Sequence, residues 1–161
     1  MDDFGRVHAL IIATRAEGAV LYERYYDRYS ELDKAEIRAA FQQAAEASGV
    51  ATSGAAADGR DACGAFRGAC FVLLPSSDVC LFALGSGEYD EVALSGLLRV
   101  LVVAIASAAG RPASSGVFLA RGGASAARAA LAVDEVLNEG LVDAVDRDAV
   151  RKGAKGKAPW E

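Results

Sequence analysis

Val7-His8-Ala9-Leu10-Ile11-Ile12-Ala13, then Arg15-Ala16-Glu17-Gly18, then Ala19-Val20-Leu21-Tyr22-Glu23-Arg24-Tyr25-Tyr26: this opening decides the fold class. The first run is short, apolar and β-branched, which is strand chemistry. Gly18 supplies the positive φ that a tight turn needs, and the second run is again of strand length. Two strands joined so closely pair as an antiparallel hairpin. A chain that begins this way does not begin with a βαβ unit, so a Rossmann-type start is excluded.

Working outward, Ser30 caps an expected helix from Glu31 to about Ala47. Ile37, Ala40, Phe41, Ala44 and Ala45 give it one apolar stripe, and Ser48-Gly49 stop it. Ala51 to Gly59 is rich in Ala, Gly and Ser, has no period and reads as a loop. Three further strands are expected at Arg60–Phe66, Gly68–Leu74 and Val79–Leu84, with turns at Arg67-Gly68 and Pro75-Ser76-Ser77-Asp78. The first of them is diluted by Gly and Ala. Glu88-Tyr89-Asp90-Glu91 then favours a helix N-terminus. Leu94, Leu97, Leu98, Leu101, Val102 and Ile105 share one face of the helix that follows, and Val100, Val103 and Ala104 make the other side apolar as well. A turn is expected around Val117-Phe118-Leu119. After the low-complexity stretch Arg121–Arg128, a last helix has the stripe Ala129, Ala132, Val133, Val136 and Leu137 and a glycine cap at Gly140. The expected class is α+β, order ββαβββαα: a five-stranded antiparallel sheet with helices packed on its faces. Residues 1–146 form the expected domain, and 147–161 a basic, flexible tail.

The chain has 161 residues, the size of one domain, and its apolar fraction of 53% argues against disorder. A net charge of −5 argues against nucleic acid as a partner. Cys63, Cys70 and Cys80 are odd in number and lack a C-x-x-C pair, so they read as small buried hydrophobes of a reducing compartment. The acidic Met1-Asp2-Asp3 opening is unlike a signal peptide. Val92–Ala109 carries Arg99 and ends at Gly110-Arg111-Pro112, and so reads as a buried helix and not as a membrane span.

No catalytic group stands out. His8 is the single histidine and reads as a structural residue of the first strand. Gly85-Ser86-Gly87 lacks the spacing and Lys of a P-loop and the third glycine of a dinucleotide fingerprint, so Ser86 reads as part of a strand-to-helix turn. Asp134 and Glu135, adjacent on a helix, diverge by about 100° and make a poor acid–base couple. Asp143, Asp146 and Asp148 lack the glycine and closing Glu of a calcium loop. The expectation is a protein with no cofactor and no metal that is not an enzyme.

Three blocks carry a resemblance. The Val7–Tyr26 hairpin with its Gly18 turn is similar to the opening of the longin-like small subunits of vesicle coats, the clathrin adaptor sigma and coatomer zeta subunits. Leu84-Gly85-Ser86 followed by Glu91-Val92-Ala93-Leu94 resembles the junction of the last strand and buried helix in that family. Leu131-Ala132-Val133-Asp134-Glu135-Val136-Leu137-Asn138-Glu139-Gly140-Leu141-Val142 resembles its hydrophobic-Asp-Glu-hydrophobic end. Within the family, Gly87–Glu91, Val117–Leu119, Gly140-Leu141 and the basic stretch near Pro159 are most similar to the small subunit of the plant TPLATE endocytic complex. The Ala51–Gly59 loop and the Gly122–Ala127 insert depart from the pattern.

The resemblance implies a longin-like (SNARE-like) fold and a subunit that clasps a large adaptor subunit in clathrin-mediated endocytosis. Large and medium coat subunits would be its partners, with the membrane reached only through the complex. It implies a cytoplasmic place, peripheral at the plasma membrane and its clathrin-coated pits. A coatomer zeta-type or other longin-type tethering subunit in Golgi–ER transport is the alternative. The expected partner surface is Tyr22, Tyr25 and Tyr26 of the hairpin with Asp134, Glu135 and Leu141, since Tyr is favoured at interfaces.

Overall fold

The computed structural model describes residues 5–49, 61–119 and 123–138 and the backbone of 141–142. The expected Ala51–Gly59 loop, the Gly140 cap, the Asp143–Asp148 carboxylates and the basic tail lie outside the described residues. The elements are β1 (Val7–Thr14), β2 (Val20–Tyr25), α1 (Glu31–Ser48), β3 (Ala62–Phe66), β4 (Ala69–Ser76), β5 (Val79–Gly85), α2 (Glu91–Ala109), α3 (Ser115–Leu119) and α4 (Ala124–Val136). A short ribbon of β6 (Leu137–Asn138) and β7 (Leu141–Val142) follows. Strands β1 to β5 form one antiparallel sheet in the order β2-β1-β5-β4-β3. The class is α+β.

Strands β1 and β5 lie at the centre, which explains their almost unbroken apolar sequence: both of their faces are covered. Ala9, Ile11 and Ala13 of β1 face α1, where they meet Ile37 and Phe41 together with Phe71, Leu73, Phe82 and Leu84. Phe82 stacks between Phe41 and Phe71 at centroid distances of 5.2 and 5.3 Å. Leu10 and Ile12 point the other way, into a larger cluster with Leu94, Leu97, Leu98, Leu101 and Ile105 of α2 and Ala129, Val133 and Val136 of α4. Helix α2 is thus held between the sheet and α4. It has the length and hydropathy of a membrane-crossing helix, yet Leu94, Leu97, Leu98, Leu101 and Ile105 are fully buried inside the protein.

The caps follow local chemistry. Ser30 accepts from the Asp33 N–H and the Asp33 side chain accepts from the Ser30 N–H, a reciprocal capping box at the start of α1. Asp90 caps α2 by accepting from the Ala93 N–H.

Four expectations are corrected. Strand β4 runs on through Pro75 to Ser76, leaving a two-residue turn, Ser77-Asp78, where a four-residue turn was expected. Val117-Phe118-Leu119 belong to a short helix, α3. Helix α4 begins at Ala124, inside the stretch read as low complexity. It ends at Val136 with Leu137 already extended, so the helix stops before the glycine expected to cap it.

Candidate functional site

Strand β2 is an edge strand, and it positions the tyrosines expected at a partner surface. The Tyr26 N–H donates to the His8 carbonyl, and the register pairs Arg24 with Leu10 and Tyr22 with Ile12. Tyr22, Arg24 and Tyr26 therefore share one face, and Glu23 and Tyr25 the other. The tyrosines expected to form an open partner surface are half-buried: Tyr22 and Tyr26 pack against the cluster of α2 and α4, and Tyr25 against that of α1. This is a correction with a tertiary cause: alternation along β2 sends successive tyrosines under different helices.

On the first face, Tyr22 packs against Phe118 of α3 at 6.2 Å between ring centroids. The Arg24 guanidinium lies 5.5 Å from the Tyr26 ring centroid and donates to Asp134 Oδ1 of α4 at 2.7 Å. The hydroxyl oxygens of Tyr22 and Tyr26 are buried and meet no hydrogen-bond partner among the described residues. Burial raises both phenol pKa values, and the Arg24 cation partly opposes the rise at Tyr22 without reaching its hydroxyl in hydrogen-bond geometry.

On the second face, Tyr25 donates to Glu23 Oε1 at 2.7 Å. Glu23 also accepts from Arg38 Nε at 2.9 Å and from its Nη2 at 3.1 Å, a bidentate pair. The Arg38 bonds hold the Glu23 carboxyl below its ordinary range. Burial, and then Glu23, raise the Tyr25 phenol.

Of the expected surface, the structure brings Tyr22, Tyr26 and Asp134 into one cluster and puts Tyr25 behind the sheet. Glu135 is exposed on α4, one turn from the exposed Leu131. Leu141 pairs through its backbone with Asn138 in the terminal ribbon. Val20, Leu119 and Leu131 are large, apolar and exposed. They sit on β2, α3 and α4, the elements joined by the Tyr22–Phe118 and Arg24–Asp134 contacts. The cysteines are free, and only Cys80 is buried; Cys63 is exposed, against expectation, because it lies on the outward side of the alternation along β3.

A second cluster was missed in the sequence. At the open end of β1, His8 Nδ1 hydrogen-bonds Asp27 Oδ2 and His8 Nε2 lies 2.8 Å from Ser86 Oγ. Arg6 Nη1 donates to the other Asp27 oxygen at 3.0 Å, and the Tyr29 hydroxyl donates to Oδ2 at 3.3 Å. A carboxylate only accepts, so Nδ1 carries the proton that meets Asp27; in the neutral imidazole, Nε2 is then the ring's acceptor and the Ser86 hydroxyl its donor.

Among the described residues no group of three or more His, Cys, Asp or Glu side chains could hold a metal ion. A cavity of about 100 Å³ between the β1–β2 turn and α1 is floored by Phe41, Ala45 and Cys80. No protein-family model matches the chain, and no curated protein matches it.

Proposed function

We propose that this chain is a longin-like small subunit of a vesicle adaptor or coat complex, of the TPLATE endocytic type. In this reading it clasps the N-terminal trunk of a large subunit. It would act in the cytoplasm at clathrin-coated pits and meet the membrane only through the complex. The observation that carries the reading is the architecture: an opening hairpin, a helix, three antiparallel strands and then helices, in the order that the resemblance implies.

The β2–α3–α4 surface supports the contact. Leu131 is 64% exposed on the same helix as the charged Asp134 and Glu135, three and four residues away, and Leu119 of α3 is 68% exposed. Apolar area ringed by polar groups is what a partner covers.

The test is co-expression with the trunk of a large adaptor subunit, with Leu131→Glu plus Glu135→Lys as the lesion. Both side chains are exposed, so the fold should survive by circular dichroism. The expected result is a co-purifying complex that the double variant loses. A wild-type chain that stays alone with every large subunit tried would overturn the reading. The identity of the subunit that binds separates the endocytic version from a Golgi coat.

A further inference from the structure

The cluster at the end of β1 has a chemistry that partner binding does not use. Ser86 stands where β5 gives way to the turn before α2, and it is partly exposed. Its hydroxyl faces His8 Nε2 at 2.8 Å, and the opposite ring nitrogen is held by Asp27. Nucleophile, base and orienting carboxylate are thus joined in series, and such a set is recognised by geometry and roles whatever its order in the chain. Asp27 is itself fixed, by Arg6 and Tyr29. The position of Ser86 is also set from behind. Its N–H donates to the Arg6 carbonyl, its carbonyl accepts from the Tyr89 N–H, and a Cβ on Gly5 would fall 2.1 Å from that carbonyl oxygen. The next residue, Gly87, is exposed, and its N–H meets no acceptor among the described residues. A backbone donor one residue after the nucleophile is one way to steady a developing oxyanion.

We propose that Ser86, with His8 as base and Asp27 as positioning residue, is an acylatable nucleophile that hydrolyses small, activated carboxylic esters. Ser86 Oγ bonds to the ester carbonyl carbon as its proton passes to His8 Nε2. The carbon–oxygen bond to the leaving group breaks, and that oxygen takes the proton from the imidazolium. Water then attacks the acyl-serine carbonyl, gives a proton to Nε2, and releases the carboxylic acid as Ser86 regains its own proton. The substrate class is small and unhindered because Ser86, His8 and Asp27 are only partly exposed, which restricts the approach to Oγ.

The experiment treats the purified full chain with a fluorophosphonate probe and, separately, with p-nitrophenyl acetate. One phosphonyl adduct per chain is expected, mapped to Ser86 by peptide mass spectrometry. His8→Gln should slow that labelling by about 10²-fold or more, the usual contribution of a general base. Asp27→Asn should slow both labelling and nitrophenolate release, and folding is followed in each variant by circular dichroism. Labelling of the wild-type chain at serines other than Ser86, or no labelling, would overturn the proposal. So would a His8→Gln chain that is folded and labels at the wild-type rate, since the three side chains would then serve only to tie β1 to the β2–α1 and β5–α2 connections.

Discussion

Arg24 on the edge strand and Asp134 near the end of α4 are joined by a 2.7 Å charged hydrogen bond across 110 residues of sequence. Both side chains are nearly half exposed, at 46% and 45%. Water screens such a pair, and exposed pairs contribute about 0–1 kcal/mol. Asp134→Ala is therefore expected to lower stability by no more than about 1 kcal/mol in urea titration. A loss several times larger would mean that the bond organises the β2–α4 junction to a degree its exposure does not suggest. If Asp134 belongs to the partner surface, the same variant should weaken assembly with a large subunit far more than it weakens the fold.

The tyrosine hydroxyls beneath that pair carry a sharper test. Tyr22 and Tyr26 bury hydroxyl oxygens with no partner among the described residues. A buried polar group left unpaired is destabilising by about 1–3 kcal/mol relative to a satisfied one. Tyr26→Phe keeps the ring against Arg24 and removes only the hydroxyl, so its melting temperature should equal or exceed that of the wild type. A clear fall would show that the hydroxyl has a partner in the folded protein.

Much of the fold was legible because its signals are local. The Gly18 hairpin, the Ser30 cap and the continuous apolar runs of β1 and β5 each rest on a few neighbouring residues. The turn at Pro75 was misread because proline lacks an N–H. The register shows why it fits a strand: the Ser76–Val79 pair flanks a two-residue turn, so Pro75 directs its nitrogen away from β5, and β3 reaches only as far as Ala62, opposite Leu73. Proline is tolerated where the ladder ends. The tyrosines of β2 lie on the expected strand, but their half-burial is not legible in the sequence, because the covering by α1 and α3–α4 is tertiary. The His8 cluster was invisible for the same reason. Its partners lie 19 and 78 residues away, and no spacing rule links them.

Helix α2 depends on burial on two sides. Leu98 is 0% exposed and belongs to the cluster that holds α2 against the sheet and α4. Leu98→Asp would place a carboxylate there without a partner, a loss of several kcal/mol, comparable with the whole stability of many domains. The variant should be unfolded, or soluble only as a molten form, by near-ultraviolet circular dichroism. A melting temperature within a degree or two of the wild type would show that α2 opens easily at this position.

Alkaline solution should unfold this protein in a window set by buried weak acids. Burial raises the Cys80 thiol from 9.0 to about 12. It likewise raises the Tyr29 phenol from 10.0 to about 12, with Asp27 adding to the effect. Tyr25 and Tyr26 are shifted in the same direction, chiefly by burial. Each of these groups is neutral when protonated, and its pKa is higher folded than unfolded. As pH rises past the unfolded values, the unfolded chain loses protons that the folded chain keeps. Fewer protons on the unfolded state means that stability falls with rising pH, and the fall continues until the folded groups ionise too. The decline should begin near pH 9 and run to about pH 12, the interval between the unfolded and folded values for Cys80. Replacing Cys80 by Ala lowers stability at every pH through lost packing, but it should also flatten the slope just above pH 9, where the thiol is the first of these groups to titrate in the unfolded chain. Denaturant melts at a series of pH values read both effects, and an unchanged slope in the variant would remove Cys80 from the account.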